Sequence, residues 1–302
     1  MTESFPQQAT GQKGNAMGRD KGIRNLCRTA TLVTAVAVLL TAACSSTPDS
    51  TESPWRSGAA PPEGLPQRRL EGIKKSVRSE AALWNTLTAR CQVAISSPII
   101  RMGENNRVTV QGTLWLKKPG MVRMELDRRD RELATLVGDG RRYLVNMPMF
   151  QGSPVYRGTY GDELTVRSDR LLFMPDDLAA ALDLGNLFTD KAQVLRTYVA
   201  PPQWHVDSLQ FSQDPPDIWA TSSLVINRNS GQPSLQERYE RDGELRTRIR
   251  YHSRTLVPAG SQEVQIPDRF TLEYPKQHTF IAIKLTDIRL NQQLSDDRFS
   301  VQ

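Results

Sequence analysis

The side chains best suited to catalysis are few in this sequence and widely spaced. His205, His252 and His278 fit neither the metal-binding H-E-x-x-H pattern nor a similar one. Two pairs of adjacent carboxylates occur; we interpret Asp176-Asp177 as the cap of a helix and Asp296-Asp297 as part of a polar turn. The sequence contains no G-x-S-x-G nucleophile elbow and no glycine-rich phosphate loop. It therefore predicts neither an enzyme nor a bound metal or cofactor.

The cysteines indicate modification of one thiol and no disulfide bond. Cys44 ends the segment Thr29–Cys44, an apolar run of sixteen residues that follows basic residues and ends in small ones. The run is shorter than the roughly 20 residues that span a hydrocarbon core, and its order is typical of a secretory signal peptide. Cys27 lies within that signal. Cys91 then remains alone, and we expect it to be a small buried side chain.

The residues around Cys44 predict where in the cell the protein is located. Leu40-Thr41-Ala42-Ala43-Cys44 resembles the lipobox of bacterial lipoproteins, with threonine in place of the commonest leucine. We therefore predict a signal peptide over residues 1–43, with Met17 as an alternative start, and a mature chain that begins at a lipidated Cys44. Ser45 resembles the Gram-negative sorting signal for the outer membrane, so we expect a periplasm-facing protein anchored by acyl chains such as palmitate. The alternative is ordinary signal cleavage, with Cys44 incidental.

Charge and length limit the remaining functions. The 302-residue chain has a formal net charge of +6, but loss of residues 1–43 removes five basic and two acidic residues and leaves +3. Because no compact basic cluster with interleaved aromatic residues occurs, nucleic acid is not a predicted partner. Residues 44–66 are rich in Ser, Thr, Pro and Gly, as expected of a flexible linker. Residues 67–302 are predicted to form a single domain.

The predicted domain begins with a helix. Over residues 67–86, apolar side chains recur three or four positions apart, at Leu70, Ile73, Val77, Ala81 and Trp84. This spacing predicts an amphipathic helix. We expect its apolar stripe to pack on a sheet; the alternative is that its basic face lies on an anionic membrane.

From residue 87 the apolar period changes to two, which predicts antiparallel strands with one apolar and one polar face. Turns are predicted at Pro119-Gly120 and at Gly138-Asp139-Gly140. Strands resume after residue 203 and continue to residue 290. Near the end of the last strand the parity of the apolar residues changes at Thr286-Asp287, which predicts a β-bulge.

Residues 162–195 interrupt the strands. Pro175-Asp176-Asp177 can start a short helix, and Gly185 can end it. A short apolar helix inside a β protein must cover apolar surface. It is either a plug fixed on the open face of the sheet or a movable lid over a cavity.

These features together resemble the LolA/LolB-like lipoprotein-localisation superfamily, which includes a periplasmic lipoprotein carrier and an outer-membrane lipoprotein receptor. Residues 112–125 are similar to its strand–proline–turn–strand passage, and residues 136–143 to its Asp-Gly hairpin. The resemblance implies a mainly β (α+β) fold. It is a strongly curved antiparallel half-barrel with an N-terminal amphipathic helix and a short helical lid or plug, enclosing an apolar cavity for acyl chains.

The resemblance also implies a function. It implies a membrane-anchored envelope lipoprotein that binds acyl chains of lipids or lipoproteins in the cavity, for transport or outer-membrane assembly. The expected lining residues are apolar side chains of two strands and of the short helix: Val108, Val110, Leu114, Leu116, Met124, Leu126, Leu178 and Leu182. The alternative is a structural or scaffolding lipoprotein that contacts envelope proteins and has no ligand cavity. Where the receptor has a protruding apolar loop, residues 127–131 are all charged, which suits water or headgroups.

Overall fold

The structure is a computed structural model that describes residues 67–98, 106–129, 131–148, 155–161, 174–188, 192–200, 203–211, 218–227 and 229–301. The predicted signal peptide, Cys44 and the predicted linker of residues 44–66 lie outside these ranges. Among the helices in these ranges, none has both the length and the apolar character needed to cross a membrane.

Thirteen antiparallel strands form one sheet. They are β1 (Thr86–Ser96), β2 (Arg107–Lys117), β3 (Met121–Arg128), β4 (Arg131–Asp139), β5 (Arg142–Asn146), β6 (Val155–Thr159), β7 (Ala192–Ala200), β8 (Gln203–Phe211), β9 (Ile218–Asn227), β10 (Pro233–Tyr239), β11 (Leu245–Ala259), β12 (Gln262–Tyr274) and β13 (Thr279–Leu290). Their order is β6-β5-β4-β3-β2-β1-β13-β12-β11-β10-β9-β8-β7. The two meanders β1–β6 and β7–β13 are thus joined by the pairing of β1 with β13. The sheet curls into an open half-barrel, which confirms the predicted fold class.

Two α-helices accompany the sheet. The first, α1 (Gln67–Ala82), buries Ile73 and Val77 of its predicted apolar stripe, and Trp84 just beyond its end is also buried. The second, α2 (Pro175–Leu182), lies in the connection between β6 and β7 and is followed by a 3-10 helix, Leu184–Phe188. Both helices were expected from the sequence pattern, and the stripe of α1 packs against the protein.

Successive side chains along each strand point alternately to the concave face, which is buried, and to the convex face, which is largely polar. On β1, for example, Leu87 and Ile95 are fully buried, whereas Arg90 on the other face is exposed. The convex face is stabilised by ion pairs between neighbouring strands. Arg248 Nε lies 2.9 Å from Glu237 Oε1, and Arg248 Nη1 lies 3.4 Å from Glu273 Oε2. The largest apolar cluster therefore lies within the curve of the sheet.

The predicted bulge near the end of β13 is present. Thr88 of β1 pairs with Arg289, but Arg90 pairs with Thr286, so β13 contains one extra residue there. Asp287 adopts a positive φ of 51° at this point. Leu285 and Leu290 are five positions apart and would lie on opposite faces of a regular strand. Because of the extra residue, both side chains are buried.

The sequence pattern predicts neither β6 nor β7. Along β6 the side chains alternate only between exposed and half-buried positions, because β6 is an edge strand of the sheet. The sequence of such a strand shows little of the apolar alternation from which strands are predicted. The start of β7 at Ala192 also falls inside the segment predicted to interrupt the strands.

Candidate functional site

The candidate site is the concave face of the sheet, which α2 covers. Leu178, Ala181 and Leu182 of α2 are at most 3% exposed. The helix contacts β3 and β4, which lie on one half of the sheet. It therefore occupies the open side of the half-barrel as part of the core.

The structure places all eight predicted lining residues in one buried apolar cluster. Six of them lie on the concave face of β2 and β3, and two lie on α2: Val108, Val110, Leu114, Leu116, Met124, Leu126, Leu178 and Leu182. Because α2 contributes to the same cluster, it lies where the predicted ligand cavity would be. Their role in binding a ligand stays a prediction.

The first turn of α2 is held by two arginines from the other half of the sheet. Asp176 accepts hydrogen bonds from Arg246 Nη2 at 2.8 and 2.9 Å and from Arg238 Nη2 at 3.2 Å. Asp177 accepts hydrogen bonds from Arg238 Nη1 and, at 2.8 Å, from the hydroxyl of Thr247. We call Asp176, Asp177, Arg238 and Arg246 the ion cluster. Three of its members are buried, and Arg238 is half-buried.

A β-bulge directs Arg246 into this cluster. Arg238 of β10 pairs with Thr247, but the next residue, Tyr239, pairs with Leu245. Arg246 is therefore an extra residue in β11. A bulge of this kind re-aims a side chain, and here the guanidinium group points to the concave side, although strand parity would place it beside Arg248 on the convex face.

Asp177 and Arg246 favour their charged forms in spite of their burial. Burial alone would raise the pKa of Asp177, but the guanidinium groups of Arg246 and Arg238 outweigh this effect and hold that pKa below its usual range. Burial alone would lower the pKa of Arg246, and the carboxylates of Asp177 and Asp176 raise it instead. The cluster is thus a set of opposite charges that depend on each other.

The acidic pair does not cap α2, so that sequence interpretation is wrong. The N-cap is Met174, whose side chain makes no capping hydrogen bond. Its backbone N–H donates to the hydroxyl of Tyr274 on β12 at 3.1 Å. Burial and the charge of Asp177 raise the pKa of Tyr274, so the phenol remains neutral. The two carboxylates instead fasten the helix to the sheet.

A second set of contacts holds the C-terminal end of α2. Asp183 Oδ1 lies 3.5 Å from Lys118 Nζ, in the turn between β2 and β3. Lys118 also donates to the carbonyl oxygen of Ala81 at 2.5 Å, and its ammonium group lies 3.5 Å from the centroid of the Trp84 ring. Burial raises the pKa of Asp183 and lowers the pKa of Lys118. Each shift favours the neutral form, so this pair is less firmly ionised than the ion cluster.

A crevice lies between α1, the end of α2 and the sheet. Its volume is about 30 Å³, room for no more than a few water molecules. Val77 and Trp84 line one side, and Leu182 and Ile266 are among the residues on the others. The crevice is too small for an acyl chain, so a chain that entered the core at this point would displace one of the two helices beside it.

The cysteine and the histidines supply no cluster of metal ligands in the described part of the chain. Burial raises the pKa of the Cys91 thiol to about 12, as expected of an inert core residue. His205 lies on β8, His252 on β11, and His278 in the turn after β12. Within the described ranges, no three His, Cys, Asp or Glu side chains gather as the ligands of a metal ion would.

The fold is similar to that of a solved protein, although the sequence alone finds no match. No family model and no curated protein matches this sequence. A LolA superfamily protein from Nitrosomonas europaea aligns with a TM-score of 0.50 and 16% identity, over 76% of this chain and 97% of its own. The chain has a LolA-like fold.

Two other solved structures are similar to this LolA-like chain. A DUF1329 family protein from Desulfovibrio piger is 11% identical, with a TM-score of 0.47 over 76% of this chain and 96% of its own. An outer membrane lipoprotein-sorting protein domain from Vibrio parahaemolyticus is 12% identical. It aligns with a TM-score of 0.45 over 76% of this chain and 94% of its own. Identities this low report on fold alone.

We expect Leu178→Ala to destabilise the protein because the side chain of Leu178, on α2, is fully buried. The free energy of unfolding, measured by urea denaturation, should fall by about 2–5 kcal/mol. The control is Leu256→Ala, since Leu256 is 57% exposed. Equal denaturation midpoints for the two variants would show that α2 is not part of the core.

Stability should also fall in acid because of Asp177. Its pKa in the folded protein lies below the value of about 3.9 expected when unfolded. The stabilisation is therefore complete above about pH 4 and is lost as the pH falls through the folded-state value. Asp177→Asn should unfold more easily at pH 7, by about 3 kcal/mol, and should lack this part of the acid dependence. Thermal unfolding between pH 7 and pH 2 measures both effects; Asp127→Asn, at an exposed carboxylate on β3, should behave as the wild type.

Proposed function

We propose that this protein is an envelope lipoprotein that binds acyl chains of lipids or lipoproteins on its concave face, for transport or outer-membrane assembly. The supporting observation is that the short helix α2 covers the concave face. An apolar half-barrel of LolA-like fold is closed by a helix of only eight residues. A short helix set in a connection between edge strands can leave the face more easily than a strand can.

The proposed mechanism is an exchange of apolar surfaces. In the closed arrangement Leu178, Ala181 and Leu182 of α2 keep water from the strand residues beneath them. Each methylene group of a ligand that becomes buried contributes about 0.8 kcal/mol. An acyl chain can therefore replace the apolar contacts of α2, and no chemical step is required. We accordingly propose a binding protein, without cofactor, and not an enzyme.

The proposed location follows from the N-terminal sequence. Cys44 would carry acyl chains that anchor the protein to the periplasmic face of the outer membrane, and residues 44–66 would act as its tether. The partners on this proposal are the membrane, through the anchor, and the acyl chains on the concave face.

A second candidate function rests on how firmly α2 is held. The ion cluster fastens its first turn, the Lys118–Asp183 pair fastens its end, and Arg78 Nε donates to the carbonyl oxygen of Phe188 at 2.9 Å. A helix fixed at so many points could be a permanent plug. The protein would then be a structural lipoprotein that acts through contacts with other envelope proteins.

Native mass spectrometry distinguishes the two candidates. The mature chain, released from its anchor and purified from the cell envelope, should carry co-purifying lipid and should take up a fluorescent fatty acid after delipidation. The matched control is the same protein unfolded in urea, which should retain no probe. A clean apo mass together with no uptake would contradict acyl-chain binding and favour the plug.

Anchoring is tested by Cys44→Ser. The wild type should incorporate radioactive palmitate and sediment with membranes, whereas the variant should do neither, because serine lacks the thiol that is acylated. The control is Cys91→Ser, which removes the buried thiol and should leave labelling unchanged. A wild type that never labels, with a variant that stays on the membrane, would contradict the lipoprotein proposal.

A further inference from the structure

The helix α2 has the chemical character of an anionic amphiphile. Its first turn carries the carboxylates of Asp176 and Asp177, and its apolar residues Leu178, Ala181 and Leu182 follow directly. The surface that holds it has the complementary character. Guanidinium groups meet the carboxylates, and the apolar concave face meets the leucines.

The guanidinium groups form a compact site for oxygen atoms. Arg238 and Arg246 lie on neighbouring strands, and both contact Asp176 within 3.2 Å. The hydroxyl of Thr247 adds a donor, which lies 2.8 Å from Asp177. Planar guanidinium donors of this kind suit carboxylate and phosphate groups, to which they can donate two hydrogen bonds at once.

The site also has a donor that α2 does not use. Arg246 Nε is buried and makes no hydrogen bond within the described part of the chain. Its contact with Asp177 Oδ2 is 3.7 Å long, which exceeds a hydrogen bond. A buried N–H without an acceptor is unfavourable, so a group with oxygens placed differently would fit this arginine better than the helix does.

The charge of the site matches a head with one negative charge. With α2 in place, two carboxylates balance Arg238 and Arg246. Glu240, which is buried and acts electrostatically on Arg246, contributes one further negative charge. Without α2 the site would therefore hold two positive charges and one negative charge.

We propose that Arg238 and Arg246 form a head-group site for single-chain ligands whose head carries one negative charge, and that Asp176 and Asp177 occupy this site when no ligand is bound. The inference rests on the proposed acyl-chain binding and names the class of ligand. The head displaces the two carboxylates while the acyl chain displaces the leucines of α2. The carboxylate of a fatty acid and the phosphate of a lysophospholipid both have the required chemistry.

Three probes with the same acyl chain test the inference on the mature protein. They are dodecanoate, lysophosphatidylglycerol with a dodecanoyl chain, and the neutral monododecanoylglycerol, each titrated below its micellar concentration by isothermal calorimetry. At least one anionic probe should bind about tenfold more tightly than the neutral probe, and the tighter of the two identifies carboxylate or phosphate as the source. Equal affinity for all three would overturn the inference and leave acyl-chain binding intact. Binding of none would contradict the proposed function itself.

Variants test whether the preference for anionic ligands arises from Arg238 and Arg246. Arg238→Gln should reduce the ratio of anionic to neutral affinity by about tenfold. Arg248→Gln is the matched control, since Arg248 lies on the same sheet but pairs with Glu237 and Glu273 on the convex face; it should keep the ratio. Asp176→Asn combined with Asp177→Asn should increase anionic affinity, because the competing charges are gone. This double variant keeps the test decisive if Arg238→Gln does not fold. An unchanged ratio in the first variant, or unchanged anionic affinity in the second, would overturn the inference.

Discussion

A curved sheet with an apolar concave face must have that face covered. Each Å² of apolar surface removed from water contributes about 25 cal/mol, and the main buried apolar cluster is formed by the concave side of the sheet together with residues of α2. The convex face carries ion pairs between neighbouring strands. The two helices provide the cover that the concave face needs: α1 lies at one end and α2 lies across the open side.

The ion cluster explains how a helix of eight residues can stay on that face. Removing one partner from an ion pair that stays buried costs about 3–5 kcal/mol, so α2 leaves more readily when another anionic group takes the place of its carboxylates at Arg238 and Arg246. A purely apolar ligand offers no replacement for the two carboxylates. A ligand with an anionic head does, and the same contacts that close the site would then select what opens it.

Much of the fold could be predicted from the sequence because strand and helix periods are local signals. The alternation in β2 and β3, the stripe of α1 and the parity change at Thr286-Asp287 are each visible within a few residues. The ion cluster is not a local feature. Arg246 faces inward only because a bulge offsets its strand, and Arg238 lies more than sixty residues from its carboxylate partners. The nearest available signal was Asp176-Asp177 itself, two charges beside an apolar helix that would need partners once buried.

Hydrogen exchange of α2 during ligand binding is the most direct test of the central claim, that helix and acyl chain compete for one face. In the free protein the amide of Asp183 donates to Ala179, and that of Leu178 to Met174. The account predicts that amides of residues 178–183 exchange faster once dodecanoate is bound, while those of β2 remain protected. Stoichiometric binding with unchanged or greater protection at residues 178–183 would contradict it.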